Sequence, residues 1–121
     1  MMKLFLKSLR YAMAGFALVA RRERNFRIEV FIALLVVTLG AILRVSSLHW
    51  ITLLLNIGAV LAAELFNSVI ESFCDVVQPK FDLRIKFIKD VSAAAVLILA
   101  AMAAISGAII FIPHLLKIFP L

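Results

Sequence analysis

The sequence predicts an all-α membrane protein, with an amphipathic N-terminal helix at the membrane surface followed by three transmembrane helices. Of its 121 residues, 65% are hydrophobic and only 17% are charged. Soluble domains average roughly 45–50% apolar and about 25% charged residues. The apolar residues also fall into three stretches long enough to cross a bilayer, which takes about 20 residues. The length suits a single domain over residues 1–121, without separate catalytic and regulatory halves.

The first segment, residues 3–24, has the pattern of an amphipathic helix. On a helical wheel Lys3, Lys7 and Arg10 share one side, whereas apolar side chains such as Phe5 and Leu9 share the other. Helices of this kind lie in the membrane interface, with bases toward anionic headgroups and apolar side chains in lipid. We therefore expect a surface helix here rather than a fourth membrane span.

Three spans follow from the uncharged stretches, which cover residues 30–43, 45–63 and 91–116. Extended by the apolar residues that flank them, these stretches predict transmembrane helices over residues 28–47, 50–77 and 90–113.

The basic residues predict the orientation. Seven of the thirteen Lys and Arg lie in residues 1–27 and four lie in residues 80–89. The positive-inside rule then places the N-terminus and the loop over residues 78–89 in the cytoplasm. The net charge of +6 is therefore explained by membrane topology and phosphate binding, and we expect no nucleic-acid partner.

All seven carboxylates fall on the predicted cytoplasmic side. Within the second span Glu64, Glu71 and Asp75 lie within about 20° of one line on a helix, flanked by Asn67 and Ser68, and form a stripe about 16 Å long. A carboxylate inside a membrane is costly unless it is paired, protonated or faces a cavity. The alternative is a set of hydrogen bonds between helices, but three carboxylates in line favour a functional site.

These groups suit phosphoryl transfer. Mg²⁺ binds one or two carboxylates plus substrate phosphates, and a further carboxylate can accept a proton from an alcohol. Bases that could bind phosphate flank the acids, and the chain has no Walker-type loop. These bases are Arg21, Arg22, Arg24 and Arg27 near Glu23, and Lys86 and Lys89 near Asp90. His49 and His114 fall on the opposite side, and the single Cys74 allows no internal disulfide.

Three blocks of this sequence resemble the prokaryotic diacylglycerol kinase and undecaprenol kinase family. The most specific is the twelve-residue block of residues 64–75, which reads ELFNSVIESFCD. The block ERNFRIE at residues 23–29 and the block KDVSAAAV at residues 89–96 agree in order and spacing. The resemblance covers nearly the whole chain and implies an ATP-dependent lipid kinase of the bacterial cytoplasmic membrane.

The resemblance also implies roles for individual residues. Glu64 matches the catalytic base that takes the proton from the lipid hydroxyl. Glu23 and Glu71 match the carboxylates that hold Mg²⁺ on the nucleotide phosphates. Asn67 matches an amide beside the reacting centre, and Arg27 is expected to contact the substrate.

On the nucleotide side, Lys89 and Asp90 match a pair that contacts ATP, and Tyr11 aligns with a nucleotide-side position of the surface helix. Members of the family are homotrimers with active sites between subunits. This agrees with the polar stripe of the second span, because the three membrane helices of one chain are too few to shield it from lipid. Asp82, in the loop over residues 79–84, stands where relatives often carry His.

Two functions of other classes compete with the kinase. One is a small proton-coupled exporter that uses Glu64, and the other is a membrane adaptor whose polar stripe only specifies oligomerisation. The first does not explain why all acids lie on one side, and the second does not explain Glu23, Lys89 and Asp90. We therefore expect a lipid kinase. Undecaprenol is slightly favoured over diacylglycerol because ERNF and the ending IIFIP resemble the undecaprenol kinase branch, although Arg27-Ile28-Glu29 resembles the diacylglycerol kinase branch.

Overall fold

A computed structural model of the chain describes residues 1–119, which form four helices. These are α1 (Met2–Arg22), α2 (Arg24–Ile42), α3 (Ser47–Val77) and α4 (Leu83–Ile118). No strand occurs within this part of the chain. The predicted all-α fold is confirmed, and α2, α3 and α4 are long and apolar enough to cross a membrane.

The helix bounds differ from the predicted spans. α2 begins and ends earlier than the predicted 28–47, and α4 extends beyond the predicted 90–113 in both directions. Hydropathy locates the apolar centre of a helix, whereas its ends are determined by local capping groups that a hydropathy pattern does not detect.

The turn between α2 and α3 shows such capping. Arg44 adopts the left-handed conformation with φ 51°, and its N–H donates to the carbonyl of Ala41 at 3.3 Å. The N–H of Val45 donates to the carbonyl of Gly40 at 3.2 Å. This is the Schellman pattern, which ends α2 before residue 47. The side chain of Ser46 then accepts a backbone N–H and caps the start of α3.

The hydrophobic core lies beside this turn. It contains Val45, Leu53, Ile110 and Phe111, and Trp50 packs against it. α3 and α4 form the most extensive helix pair, and α2 packs on α3. Burial within the chain covers 28% of the most apolar part of α3 and only 11% of that of α2 or α4. The remaining apolar surface suits contact with lipid or with other copies of the chain.

The contact of α2 with Trp50 gives a first prediction. A Cβ at Gly40 would lie 3.2 Å from the indole Cη2 of Trp50, whereas a Cβ at Gly15 meets nothing within 4 Å. We expect Gly40→Val to destabilise the fold by about 1–3 kcal/mol relative to Gly15→Val, because overpacking forces the indole to move. The helix-propensity change is the same at both positions, so the difference reports the contact. Thermal unfolding in detergent measures it, and equal melting temperatures would contradict it.

The surface helix α1 is held at its C-terminal end. It buries none of its own side chains, and Glu23, in extended conformation with ψ 117°, separates it from α2. Phe16 packs edge-on against the fully buried Phe26 with ring centroids 5.0 Å apart. The guanidinium of Arg27 donates to the carbonyls of Ala20 at 3.2 Å and Arg21 at 3.1 Å. Arg27 therefore caps α1 and fixes its angle to α2.

The two longest helices exceed the thickness of a membrane. α3 has 31 residues and α4 has 36, which corresponds to about 46 Å and 54 Å of helix. The hydrocarbon core of a bilayer is about 30 Å thick. The end of α3 and the start of α4, where the charges lie, therefore have the length to reach the polar zone.

Candidate active site

The carboxylates gather at one end of the helical bundle, as the sequence predicts. The junction of α1 and α2, the second half of α3 and the start of α4 meet there. The seven acids at this end are Glu23, Glu29, Glu64, Glu71, Asp75, Asp82 and Asp90.

Glu64 is the most enclosed of these acids. It lies on the packed face of α3 and is 5% exposed. The charges of Glu71 and Glu23 act on its carboxyl group, and the charge of Glu64 acts on Glu29. Three parts of the chain thus bring Glu23, Glu29, Glu64 and Glu71 together, and we call these four residues the acidic cluster. Such a group of negative charges favours the binding of a cation or a proton.

Asn67 and Ser68 lie on the same buried face, 8% and 6% exposed. The Asn67 amide nitrogen donates to Glu71 Oε1 at 3.1 Å, which orients the Glu71 carboxylate. The Asn67 Oδ1 atom is shielded and has no hydrogen-bond partner among the described residues. A shielded carbonyl oxygen without a partner is costly, so this atom is available to a ligand that donates a hydrogen bond or to a cation.

Two ion pairs fix the charged end of α4. Lys89 pairs with Asp75 and so ties α4 to the end of α3, and Lys86 pairs with Asp90 along one face of α4. The charge of Glu71 also acts on Lys89. The structure therefore places Lys89 next to the acidic cluster, whereas Asp90 contacts Lys86.

Two clefts adjoin the acids. One, of about 500 Å³, opens between α3 and α4 and is lined by Asn67 together with Phe66, Phe87 and Ser92. The other, of about 330 Å³, starts at Glu29 and continues between α2, α3 and α4 past Asn56 to Phe111. Both are lined mainly by apolar side chains, and each has two polar residues, Asn67 and Ser92 in the first and Glu29 and Asn56 in the second. Such clefts suit molecules with an apolar body and a polar head.

Comparison with protein families identifies this arrangement. Residues 10–111 match the sequence profile described as Prokaryotic diacylglycerol kinase, which covers the surface helix, the acidic cluster and most of α4. The chain belongs to the prokaryotic diacylglycerol kinase family. Members of this family are lipid kinases, so the chain is a phosphotransferase of the membrane.

Two curated relatives support the assignment to this kinase family. Undecaprenol kinase of Bacillus subtilis (strain 168) is 35% identical over 111 residues, which are 92% of this chain and 90% of that protein. Diacylglycerol kinase of Synechocystis sp. is 35% identical over 114 residues, 93% of this chain but 65% of that protein. The chain thus has the same sequence identity to kinases named for two different lipids.

The donor set of this diacylglycerol kinase family member suits Mg²⁺. The acidic cluster presents carboxylate oxygens, and the Asn67 Oδ1 atom beside them has no partner. Mg²⁺ prefers oxygen ligands and commonly uses one or two carboxylates with the phosphates of its substrate. Within residues 1–119, no group of three or more His, Cys, Asp or Glu side chains could hold a metal ion by itself. A metal bound here would need further ligands, such as the phosphates of a nucleotide.

Besides Asp90, two predicted site residues, Tyr11 and Arg27, do not contact the acidic cluster within one chain of the kinase. Tyr11 is 65% exposed, and its ring contacts Lys7 at 5.9 Å from the ammonium nitrogen. About 18 Å of helix separates Tyr11 from Glu23. Arg27 lies beside the cluster in sequence, but its guanidinium binds the carbonyls at the end of α1.

The sequence pattern does not predict a site role for Glu29. In the structure Glu29 joins the acidic cluster, and its Oε2 atom is shielded without a hydrogen-bond partner among the residues described. Its position at the start of a membrane span, one residue before the uncharged stretch, was the available signal. The sequence did not show that α2 packs on α3 with Glu29 facing Glu64.

Asp82 requires a correction to the predicted loop over residues 79–84. The helix already begins at Leu83, and Asp82 is its N-cap, because its Oδ1 accepts the backbone N–H of Arg84 at 2.8 Å. The Arg84 guanidinium also binds the Asp82 carboxylate, at 2.9 Å and 3.2 Å. Hydrogen bonds from the Arg84 side chain and backbone lower the pKa of Asp82 to about 2. This residue thus starts the helix that carries Lys89.

We expect this cap to persist in acid. Because the folded pKa lies below the ordinary value, the Asp82 carboxylate contributes stability above that value and loses it only as pH falls through about 2. Hydrogen-exchange protection of the Arg84 and Ile85 amides should therefore be the same at pH 7 and pH 4. Asp82→Ala should lower this protection at pH 7, and Lys80→Ala should not. Equal protection in Asp82→Ala and the unaltered chain would contradict the cap.

Proposed function

We propose that the protein transfers the γ-phosphate of Mg-ATP to the hydroxyl group of a membrane lipid alcohol at the cytoplasmic interface. The observation that carries this proposal is the buried Glu64, which lies on the same face of α3 as Asn67, a lining residue of one apolar cleft, and interacts with Glu29, a lining residue of the other. A phosphoryl acceptor that is itself a lipid would bring its hydroxyl group to this depth. The family membership supports the reaction type.

Glu64 is the general base in this proposal. As the lipid oxygen attacks the γ-phosphorus, the Glu64 carboxylate takes the hydroxyl proton, the bond to the β-phosphate breaks, and ADP leaves. Burial keeps water, a competing acceptor, away from this carboxylate. The unpartnered Oδ1 of Asn67 accepts a hydrogen bond from a donor group beside the reacting hydroxyl.

Glu23 and Glu71 hold the metal ion in this proposal. Mg²⁺ would neutralise charge on the β- and γ-phosphates as it develops. The hydrogen bond from Asn67 orients Glu71 for this role. Glu23 is the extended residue between α1 and α2, and its charge acts on Glu64. Glu29 adds negative charge that favours the cation.

Lys89 and Asp90 bind the nucleotide in this proposal, and Tyr11 contributes from a neighbouring chain. The Lys89 ammonium group already lies near the acidic cluster, where it pairs with Asp75. To bind the nucleotide, it would exchange this ion pair for one with a phosphate group. Arg27 supports the substrate site by holding α1 in place. The exposed apolar faces of α2 and α4 suit a homotrimer in which the surface helix of one chain covers the site of the next.

The lipid substrate we favour is undecaprenol, with diacylglycerol as the second choice. The relative named undecaprenol kinase matches over 90% of its own length, whereas the relative named diacylglycerol kinase matches over 65%. The test offers labelled ATP, Mg²⁺ and either alcohol separately to the purified protein in detergent. We expect label in undecaprenyl phosphate at a higher kcat/KM than in phosphatidic acid. The reverse order would overturn the lipid choice, and no label in either lipid would overturn the kinase.

We further propose that the protein lies in the bacterial inner membrane with its N-terminus in the cytoplasm. Seven of the thirteen basic residues precede residue 28, and the acidic cluster has to face the compartment that contains ATP. A cysteine placed in α1 of a Cys74→Ser background should be labelled by a membrane-impermeant maleimide only after the cells are opened. Labelling of intact cells would contradict this orientation.

A further inference from the structure

The cleft of about 330 Å³ between α2, α3 and α4 leads from the acidic cluster into the membrane-spanning part of the bundle, and we call it the three-helix cleft. Its lining begins on α2 at Glu29 and extends along α4 from Ala100 to Phe111. That part of α4 is about 16 Å long, which is about half the thickness of the hydrocarbon core of a bilayer. The larger cleft is lined by residues between 63 and 70 of α3 and between 87 and 95 of α4, so it stays near the charged end.

The three-helix cleft has the width of one hydrocarbon chain. Its volume of about 330 Å³ over a length of about 16 Å corresponds to a cross-section of about 20 Å². Apolar groups in contact lie roughly 4.0–4.5 Å apart, so one extended chain needs a cross-section of about 16–20 Å². A lipid with two chains therefore cannot place both of them in the cleft.

The lining suits an apolar chain with a polar head. Of its two polar residues, Asn56 donates its amide nitrogen to the carbonyl of Thr52 at 3.0 Å and is thus engaged within α3. The other is Glu29, whose Oε2 atom is shielded and has no hydrogen-bond partner within residues 1–119. A hydroxyl group at the Glu29 end of the cleft would supply that partner.

A second copy of the chain is the other candidate occupant, because small residues allow membrane helices to approach closely. The wall on α4 does consist of small residues, Ala100, Ala103, Ala104 and Gly107. A helix with its side chains is about 10 Å across, however, and is too wide for a cleft of this cross-section. It would also leave the Glu29 Oε2 atom in an apolar contact without a partner.

We propose that the three-helix cleft binds the apolar tail of the lipid alcohol and selects lipids with one chain, such as polyprenols, over lipids with two. This inference rests on the proposed kinase function and gives a physical reason for the choice of lipid. The hydroxyl group lies at the Glu29 end, where Glu29 and Glu64 interact, and the tail runs past Gly107. Because Ala104 is an exposed residue of the lining, the later isoprene units of a long tail can leave the cleft at its side and enter the membrane.

Two lipid alcohols with the same head group test the number of chains. The unaltered protein in mixed micelles is offered 1-alkyl-2-O-methylglycerol or 1,2-dialkylglycerol, each with a single free hydroxyl group, together with labelled ATP and Mg²⁺. We expect kcat/KM to be at least about fivefold higher for the single-chain ether. Equal values, or a higher value for the two-chain ether, would contradict the selection for one chain.

Filling the cleft tests what it binds. Gly107 lines the cleft about 10 Å beyond Ala100, and a Cβ added to it meets nothing within 4 Å, so Leu fits there without displacing a neighbour. An isoprene unit adds about 4–5 Å of chain, so a prenol of two units ends before Gly107, whereas undecaprenol extends past it. We expect Gly107→Leu to lower the ratio of kcat/KM for undecaprenol to that for the short prenol at least about tenfold. Gly58→Leu is the matched control and should keep the ratio, because Gly58 is exposed on α3 outside the cleft and its Cβ is equally free.

A second pair of variants makes the effect depend on depth. Ala103 lines the cleft nearer to the Glu29 end, so Ala103→Leu should lower kcat/KM for both prenols, whereas Ala101→Leu, at an exposed position outside the cleft, should lower neither. Oligomer size should be the same in all four variants, and a change confined to the two cleft variants would show a second copy in the cleft instead. A ratio that Gly107→Leu leaves unchanged would overturn the tail site but not the kinase. Only a failure of the unaltered protein to phosphorylate any of these alcohols would count against the kinase function itself.

Discussion

Replacing Glu64 with Gln is expected to lower kcat for lipid phosphorylation by about 10²–10⁴-fold, the usual contribution of a general base. Gln has nearly the shape of Glu and fills the same buried position on α3, 5% exposed in the native chain. It cannot take the proton of the lipid hydroxyl. The KM for ATP should change little, because Glu64 is not assigned to the nucleotide.

A stability measurement separates this loss of chemistry from a loss of structure. Glu64 is repelled by the charges of Glu71 and Glu23, so a neutral side chain there should leave the melting temperature unchanged or raise it. Ser68→Ala, on the same buried face, is the matched control and should keep near-normal kcat. Turnover of Glu64→Gln within about threefold of the unaltered enzyme would show that Glu64 is not the base.

The apolar pattern was sufficient to predict the helices and their number. An uncharged stretch of about 20 residues has few alternatives to a spanning helix. The ends of the helices depend on single residues whose effect is local. Arg44, in its left-handed conformation, terminates helix α2. Asp82 caps the start of α4, several residues before the apolar stretch of that helix begins. Hydropathy does not register either effect, because it measures side-chain polarity and not backbone conformation or capping hydrogen bonds.

The candidate site was predictable where one helix carries it. Helical periodicity alone places Glu64, Asn67 and Glu71 on one side of α3, and the Asn67–Glu71 hydrogen bond follows from their spacing of four residues. The approach of Glu23 to Glu64 depends on packing between helices, and the sequence indicated it only through the family resemblance. The membership of Glu29 in the cluster was not predicted, because it depends on how α2 turns toward α3.

Replacing Glu71 with Gln is expected to lower activity at fixed Mg²⁺ by about a hundredfold or more, with a higher Mg²⁺ concentration needed for half-maximal rate. The substitution removes one negative charge from the proposed metal site, and a metal in phosphoryl transfer contributes several kcal/mol. It retains an oxygen that accepts the hydrogen bond of Asn67, which is 3.1 Å from Glu71 in the native chain. Initial rates over a range of Mg²⁺ concentrations at saturating lipid measure both effects.

Two further variants, Asn67→Ala and Asp75→Asn, distinguish the effect of negative charge on the helix face from the effect of the position of the Glu71 carboxylate. Asn67→Ala removes the hydrogen bond and leaves the Glu71 charge, so it should lower kcat without a comparable shift in Mg²⁺ dependence. Asp75→Asn removes a charge from the same helix face, but Asp75 is exposed and paired with Lys89, so its Mg²⁺ dependence should stay near normal. If Glu71→Gln and Asp75→Asn shift the Mg²⁺ dependence equally, the metal responds to the general negative field. Glu71 would then not be a ligand, because a ligand acts through its own oxygen and not through net charge.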